Sequence, residues 1–186
     1  AQIAAYLTAL RIRGETPEVI AGSARAMRRR FTPVAVTKDV VVDTCGTGGD
    51  GAHTINISTG AAFVAAGAGV TVAKHGNRSV SSRCGSADVL ETLGVNITAS
   101  PEVMSQCLDE IGLAFLFAPS LHPAMKHAIG PRRELAMRTI FNILGPLSTP
   151  AAAQHGVLGV YSDHLVDTIA DAAADLGFKH FFVVHG

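Results

Sequence analysis

The residues best suited to chemistry lie between positions 43 and 59, in a segment rich in glycine and in side-chain oxygens. The glycines of this segment are Gly46, Gly48, Gly49 and Gly51. They allow the backbone to turn tightly and to approach a ligand closely. An apolar strand is expected just before them, and a helix is predicted to begin near Ser58. Because the first N–H groups of a helix lack intrahelical partners and carry the positive end of its dipole, the segment predicts a phosphate-binding loop.

Two familiar glycine loops do not fit this segment. A Walker A loop continues into Gly-Lys-Ser or Gly-Lys-Thr, and no such lysine follows these glycines. A dinucleotide-binding loop has the spacing G-x-G-x-x-G, and Gly51 is out of step with it. Metal-compatible oxygens are present instead, on Asp50, Thr54, Ser58 and Thr59. The alternative that remains is a glycine-rich turn between a strand and a helix, with no ligand.

A second segment suited to anions runs from Lys74 to Ser86 and follows the second predicted strand. It offers the ammonium of Lys74, the guanidinium groups of Arg78 and Arg83, and four serine hydroxyls. Ligands in parallel α/β sheets sit beyond the carboxyl ends of the strands, so both segments are expected at one edge of the sheet. A solvated polar loop is the alternative, but two such segments after consecutive strands favour a ligand site.

Apolar strands alternate with helices along most of the chain. Strands are predicted at 40–44, 70–73, 113–117, 156–160 and 180–184. Helices are predicted at 58–67, 87–93, 101–111, 123–128, 132–141 and 163–176. This alternation predicts an α/β fold with a mostly parallel sheet and flanking helices. Residues 1–37, with two helices separated near Gly14, are expected to belong to a small helical domain that helices around 122–144 complete, and residues 38–186 to the α/β domain.

The composition restricts the class of protein. Of the 186 residues 48% are hydrophobic, and 15 basic residues balance 15 acidic ones, which argues against disorder and against a nucleic-acid-binding surface. No apolar run is long enough for a membrane span and no signal peptide opens the chain, so a cytoplasmic location is expected. Three cysteines and eight histidines without metal-ligand spacing predict neither disulfides nor a zinc site.

Five motifs together make the sequence resemble the anthranilate phosphoribosyltransferases. They are GTGGD at 46–50, NIST at 56–59, KHGNRSVSS at 74–82, HP at 122–123 and RTIFNILGPL at 138–147. The resemblance covers essentially the whole chain, and the run from Lys74 to Ser82 is its most discriminating part. It implies a fold like that of nucleoside phosphorylases, a homodimer formed through the helical unit, and transfer of phosphoribose from 5-phosphoribosyl 1-pyrophosphate to anthranilate in tryptophan biosynthesis.

The resemblance also implies the roles of individual residues. Those expected to bind phosphoribosyl pyrophosphate are Gly46, Gly49, Asp50, Thr54, Asn56, Ile57, Ser58, Thr59, Lys74, His75, Gly76, Asn77, Arg78, Ser79, Val80, Ser81, Ser82 and Ser86. Those expected to bind anthranilate are Gly46, Asn77 and Arg132. Ser58 is also expected to ligate Mg²⁺. No nucleophile or general base is expected, because the neutral amine of anthranilate can attack directly.

Some features depart from the family pattern. Leu121 stands where an aromatic residue is common and Pro131 where valine often occurs, which affects the expected anthranilate pocket more than the phosphate site. The chain starts without methionine inside a helical pattern, so it is expected to be an interior piece of a longer protein, with an acidic Mg²⁺-binding pair following Gly186. The alternatives are an enzyme like a pyrimidine nucleoside phosphorylase, or a non-catalytic nucleic-acid-binding relative of the same fold.

Overall fold

Parallel strands form one sheet in the computed structural model of the chain, which describes residues 1–51, 54–79 and 84–186. The strands are β1 (Val42–Asp43), β2 (Val72–Gly76), β3 (Leu113–Phe117), β4 (His155–Gly159) and β5 (His180–Val184). Their order across the sheet is β3-β2-β1-β4-β5, and every neighbouring pair is parallel. The predicted α/β class with a parallel sheet is confirmed.

Helices cover the sheet and build the start of the chain. They are α1 (Gln2–Arg13), α2 (Pro17–Arg28), α3 (Ile57–Gly67), α4 (Ser86–Thr92), α5 (Pro101–Glu110), α6 (Ala118–Leu121), α7 (Lys126–Leu135), α8 (Phe141–Leu144) and α9 (Val166–Asp175). The expected break near Gly14 is confirmed, because Gly14 ends α1 with a φ of 84°. The hydroxyl of Thr16 caps α2 by accepting from the Val19 N–H. In the described part of the chain, no helix has the length and apolar character that crossing a membrane requires.

The register of the strands decides which residues share a face of the sheet. Ala73 pairs with Ala114 in register, and both belong to a core cluster with Met104 and Leu108 of α5. Farther along the same face, Leu158 of β4 packs in a cluster that also contains residues of α1, α2, α8 and α9. The N-terminal helices and the sheet therefore share a hydrophobic core.

The opposite face of the sheet is only partly covered. Phe115 and Phe117 pack with buried residues of α4, and α3 lies over β2. On β4 and β5 the side chains of this face remain open to solvent, with Val157 44%, Phe182 67% and Val184 45% exposed. On this face, helices thus cover β2 and β3, whereas side chains of β4 and β5 are exposed.

Several predicted boundaries differ from the observed ones. The strand predicted at 40–44 is confined to Val42–Asp43, and the strand predicted at 156–160 is observed at His155–Gly159. The second strand extends to Gly76 instead of ending at 73, because all five residues of β2 are buried and pair in register with β3. The predicted helices at 123–128 and 132–141 are not separate. A 3-10 turn at Pro123–Met125 leads into one helix, α7, which continues through Pro131 and ends at Ala136 in the left-handed region, with a φ of 48°. Pro131 has no N–H to donate, but its fixed φ is compatible with a helix.

Gly156 should be intolerant of any side chain. A Cβ at this position would lie 2.2 Å from the carbonyl oxygen of Asp43, on the neighbouring strand, so β1 and β4 would have to separate. We expect Gly156→Ala to lower the free energy of unfolding by about 2–3 kcal/mol, measured by urea denaturation. Gly22→Ala is the matched control, because it meets open space inside α2 and should stabilise by about 0.5–1 kcal/mol. Equal effects of the two substitutions would contradict this account.

Candidate active site

The glycine-rich segment leaves the carboxyl end of β1 and is anchored to the end of β4. Gly48, Gly49 and Gly51 have φ values of 63°, 73° and 73°, a region that side chains disfavour. The Thr47 N–H donates to the carbonyl oxygen of Gly159 at 2.8 Å, and the Thr47 hydroxyl accepts from the Tyr161 N–H at 3.0 Å. The loop is therefore held in a fixed position over the strand ends.

The second segment meets the first through Asn56, the residue that precedes α3. Its side-chain amide donates to the carbonyl oxygen of Cys84 at 3.1 Å. The first turn of α3 is joined to the end of β1, because the Thr44 hydroxyl donates to the carbonyl oxygen of Ser58 at 2.8 Å. The two anion-suited segments thus lie together at the carboxyl edge of the sheet, where the sequence pattern places them.

The residues expected at the phosphoribosyl pyrophosphate site differ in their exposure. Exposed residues are Asp50, Thr54, Ile57, Asn77 and Arg78; half-buried residues are Gly46, Gly49, Asn56, Ser58, Ser79 and Ser86; buried residues are Thr59, Lys74, His75 and Gly76. Val80, Ser81 and Ser82, with Arg83, lie outside the described residues. The exposed and half-buried groups line the edge, whereas the buried ones support it from β2 and, for Thr59, from α3.

Lys74 and His75 are strand residues and not loop residues. Lys74 is only 3% exposed, and its ammonium donates to the carbonyl oxygen of His75 at 3.0 Å. The Lys74 charge therefore sits beneath the end of β2, where little water screens it.

A buried pair of histidines lies on the other face of this strand end. His75 Nδ1 lies 3.1 Å from the carbonyl oxygen of Gly145, which can only accept, so Nδ1 carries the proton. His75 Nε2 is then the acceptor for His122 Nε2, at 3.2 Å. Burial, reinforced by the charges of His122 and Lys74, lowers the pKa of His75 to about 3, and burial lowers the pKa of His122 to about 4. Both rings are neutral near pH 7.

Asp43 is a functional residue that sequence reasoning missed. Its buried carboxylate accepts from the N–H groups of Cys45 and His75, at 3.0 and 3.2 Å, and from the Thr149 hydroxyl. Burial raises the pKa of Asp43, opposed by the Lys74 charge and by these hydrogen bonds. The Asp-Thr-Cys sequence carries no signal for this role, because two of the three donors come from distant parts of the chain.

Asp43, Cys45 and His75 each offer a ligand atom within 4.8 Å of the others. Burial and the Asp43 charge raise the pKa of the Cys45 thiol to about 12, so the thiol stays protonated near pH 7. The Asp43 oxygens accept from the N–H groups of Cys45 and His75, so these three residues form a hydrogen-bonded cluster at the end of β1.

Two arginines lie against aromatic rings, and one of them contacts the glycine loop. Arg132, on α7, is half-buried and lies 5.3 Å from the centre of the Phe141 ring, and burial lowers its pKa. Arg138 lies 4.0 Å from the centre of the Tyr161 ring and donates to the carbonyl oxygen of Gly49. Within the described residues, no hydrogen bond joins Arg132 to Gly46 or Asn77, the other residues expected to bind anthranilate. Arg138 was not among the predicted site residues, although it lies in the RTIFNILGPL motif.

Comparison with known proteins places the chain in a family. Residues 38–186 match the a/b domain of a glycosyl transferase family, and residues 1–31 match the helical bundle domain of the same family. The chain belongs to this glycosyl transferase family. The family's two-part description has the same order along the chain as the helices and the sheet described above.

Similar members of the family are anthranilate phosphoribosyltransferases. Those of Moorella thermoacetica and Desulfosudis oleivorans are 60% and 62% identical over all 186 residues. The crystal structure from Thermus thermophilus is 50% identical with a TM-score of 0.93 over 98% of this chain, and the structure from Saccharomyces cerevisiae with PRPP and Mg is 36% identical with a TM-score of 0.91 over 99%. The chain spans 55% of the length of the two bacterial relatives and 55% and 52% of the two solved chains.

The histidine pair should make stability depend on pH. Both folded pKa values lie below the ordinary value of 6.5, so protons favour the unfolded chain, and stability is lost as the pH falls from about 6.5 towards 4. His122→Gln can still donate to His75 but cannot titrate, so the slope of unfolding free energy against pH should fall by up to about 1.4 kcal/mol per pH unit. Urea denaturation at several pH values measures the slope.

His164→Gln is the control, because His164 is exposed. It should leave the slope as it is. A slope that His122→Gln leaves unchanged would show that the pair does not govern acid stability.

Proposed function

We propose that the protein containing this chain transfers the phosphoribosyl group from 5-phosphoribosyl 1-pyrophosphate to anthranilate, giving N-(5-phosphoribosyl)anthranilate and pyrophosphate, in tryptophan biosynthesis. The observation that carries the proposal is the meeting of two anion-suited loops at one sheet edge, joined by the bond from Asn56 to Cys84. The 60% and 62% identity to bacterial anthranilate phosphoribosyltransferases supports this reaction over that of a nucleoside phosphorylase.

The glycine loop and the start of α3 are suited to hold the pyrophosphate group. Gly46 and Gly49 permit close approach of the main chain, and the positive end of the α3 dipole faces the same edge. No acidic residue occupies the first turn of α3, so nothing there opposes an anion. Lys74 adds a positive charge from beneath the sheet edge.

The side-chain oxygens of Ser58 and Asp50 are suitable ligands for Mg²⁺. Ser58 is half-buried in the first turn and Asp50 is exposed in the glycine loop, so hydroxyl and carboxylate oxygens, which Mg²⁺ prefers, are both present. We infer that Ser58 contributes a ligand and that the oxygens of the bound pyrophosphate contribute others. When bound, the ion would neutralise charge on the departing pyrophosphate. The Saccharomyces cerevisiae relative is described in complex with PRPP and Mg.

The reaction requires stabilisation of charge rather than a protein nucleophile. The bond between C1 of the ribose and the pyrophosphate oxygen breaks, and the anthranilate nitrogen forms the new bond to C1 and then loses a proton. Negative charge grows on the leaving group, where the loop N–H groups and Lys74 would stabilise it. The amine of anthranilate is neutral near pH 7, so the protein has chiefly to hold the two substrates in line.

Anthranilate is proposed to bind beside Arg132, Gly46 and Asn77. The guanidinium of Arg132 is held against the Phe141 ring, which leaves its forked N–H donors available for a benzoate carboxylate. A related structure from Saccharomyces cerevisiae is described in complex with 4-fluoroanthranilate. A homodimer stays a prediction from the family resemblance, and a cytoplasmic location stays a prediction from the sequence.

The proposed reaction is tested with the full-length natural protein that contains this chain. We expect loss of anthranilate fluorescence that requires anthranilate, phosphoribosyl pyrophosphate and Mg²⁺ together. Each component is omitted in turn as a control. Consumption of anthranilate that does not depend on all three components would rule out the proposed reaction.

The proposed role of Arg132 is tested against its neighbour Arg133. Arg132→Gln removes the forked charge, so we expect the KM for anthranilate to rise by about tenfold or more, with the KM for phosphoribosyl pyrophosphate within about twofold. Arg133→Gln, at an exposed position on the same helix, should change neither constant. A rise confined to phosphoribosyl pyrophosphate would refute the assignment of Arg132 to the acceptor.

A further inference from the structure

Asp88 joins the two ends of the chain segment between Ser79 and Gly85. One carboxylate oxygen, Oδ2, accepts from the Ser79 N–H at 3.0 Å and from the Gly85 N–H at 2.7 Å. These N–H groups lie on either side of the segment, which contains the end of the KHGNRSVSS run. We call this junction the neck of the second loop, formed by Asn77, Ser79, Gly85, Ser86 and Asp88.

Backbone contacts bring the two sides of the neck closer than side chains allow. A Cβ on Gly85 would lie 2.3 Å from the Ser79 nitrogen and 2.7 Å from the carbonyl carbon of Arg78. The Ser86 hydroxyl and the Ala87 N–H both donate to the carbonyl oxygen of Asn77, each at 3.2 Å. The neck is therefore a built structure, with hydrogen bonds across it from Ser79 to Asp88 and from Ser86 and Ala87 to Asn77.

The Arg78 side chain lies outside the neck and joins it to α4. Its guanidinium makes two hydrogen bonds to the Glu91 carboxylate, at 2.8 and 2.9 Å, and one to Asp88 Oδ1, at 3.0 Å. It also lies 5.9 Å from the centre of the Phe117 ring. Three of the five guanidinium N–H donors are thereby engaged within the protein, so the Arg78 side chain is arranged to support the loop.

Hydrogen bonding keeps the Asp88 carboxylate ionised, so that it can accept from both sides of the neck. The N–H groups of Ser79 and Gly85, followed by Arg78, stabilise the ionised carboxylate and lower the pKa of Asp88. Asp88 is therefore charged throughout the neutral range and accepts at both oxygens. Its bond to Gly85 is an ordinary helix cap for α4, whereas the bond to Ser79 has no part in capping the helix.

We propose that Asp88 is a positioning residue for the phosphoribosyl pyrophosphate site: it closes the neck and so holds Asn77, Ser79 and Ser86 at the sheet edge without touching the ligand itself. This inference rests on the proposed function, because these three residues are among those expected to bind that substrate. It also gives Arg78 a supporting role through its side chain.

Replacement of Asp88 separates a positioning role from a structural one. In the longest natural protein that contains this chain, Asp88→Ala should raise both the KM and the calorimetric Kd for phosphoribosyl pyrophosphate, with Mg²⁺ present, by about tenfold or more. The KM for anthranilate should stay within about twofold. Asp88→Asn keeps an acceptor for the two N–H groups, so it should restore both constants to within about threefold of the natural protein.

Asp109→Ala is the matched control. The Asp109 carboxylate also accepts from a backbone N–H and a hydroxyl, both of Thr37, but it joins α5 to the segment before β1. It should lower Tm by a similar amount and leave both phosphoribosyl pyrophosphate constants unchanged. Should Asp88→Ala not fold, Asp88→Ser provides the same measurement, since its shorter side chain cannot bridge the neck.

The inference is overturned if Asp88→Ala lowers Tm or kcat while the Kd for phosphoribosyl pyrophosphate stays within twofold. Loss of the helix cap of α4 alone would produce that result. It is equally overturned if Asp88→Asn weakens binding as much as alanine does. Amide hydrogen exchange distinguishes failure of the neck from failure of the proposed function. Protection of the Ser79 and Gly85 amides should be lost in Asp88→Ala even if the natural protein consumed no anthranilate, and unchanged protection would exclude the neck.

Discussion

The buried carboxylate of Asp43 is the interaction on which the candidate site depends. It stands at the end of β1 and ties that strand to the His75 N–H of β2 and to the Thr149 hydroxyl. A buried charge is costly unless donors surround it, and here each oxygen has at least one. Asp43 also lies near enough to Lys74 for the two charges to favour each other. The carboxyl edge of the sheet is thereby fixed before any ligand arrives.

The main chain approaches itself closely at three glycines of the sheet and its loops. Gly156 lies against the Asp43 carbonyl and Gly85 against the Ser79 nitrogen, at distances that exclude a Cβ. Gly46 lies against Gly159, where a Cβ would be 3.0 Å from the carbonyl oxygen. These approaches draw the strand ends and both loops towards one another, so the loops present backbone donors to a common space. The site is thus assembled largely from backbone geometry.

The elements with strong local signals were predictable from the sequence. Strands β3 and β5 have the predicted bounds, and the glycine loop leads into α3 as its spacing indicates. The extension of β2 through Lys74 and His75 was not predictable, because these polar residues are typical of a loop and only their pairing with β3 and their burial make them strand. Asp43 and Asp88 were not among the predicted site residues, for a related reason. Each accepts from a backbone N–H group, that of His75 or of Ser79, that only the folded chain brings to it.

The single hydrogen bond from Asn56 to Cys84 has a consequence for the entropy of ligand capture. A loop that must be ordered on binding loses conformational freedom, and two independent loops would each incur that loss. Asn56 precedes α3 and Cys84 lies in the second segment, so their hydrogen bond restricts each segment through the other. A ligand that orders one segment would therefore lower the entropic cost of ordering the other.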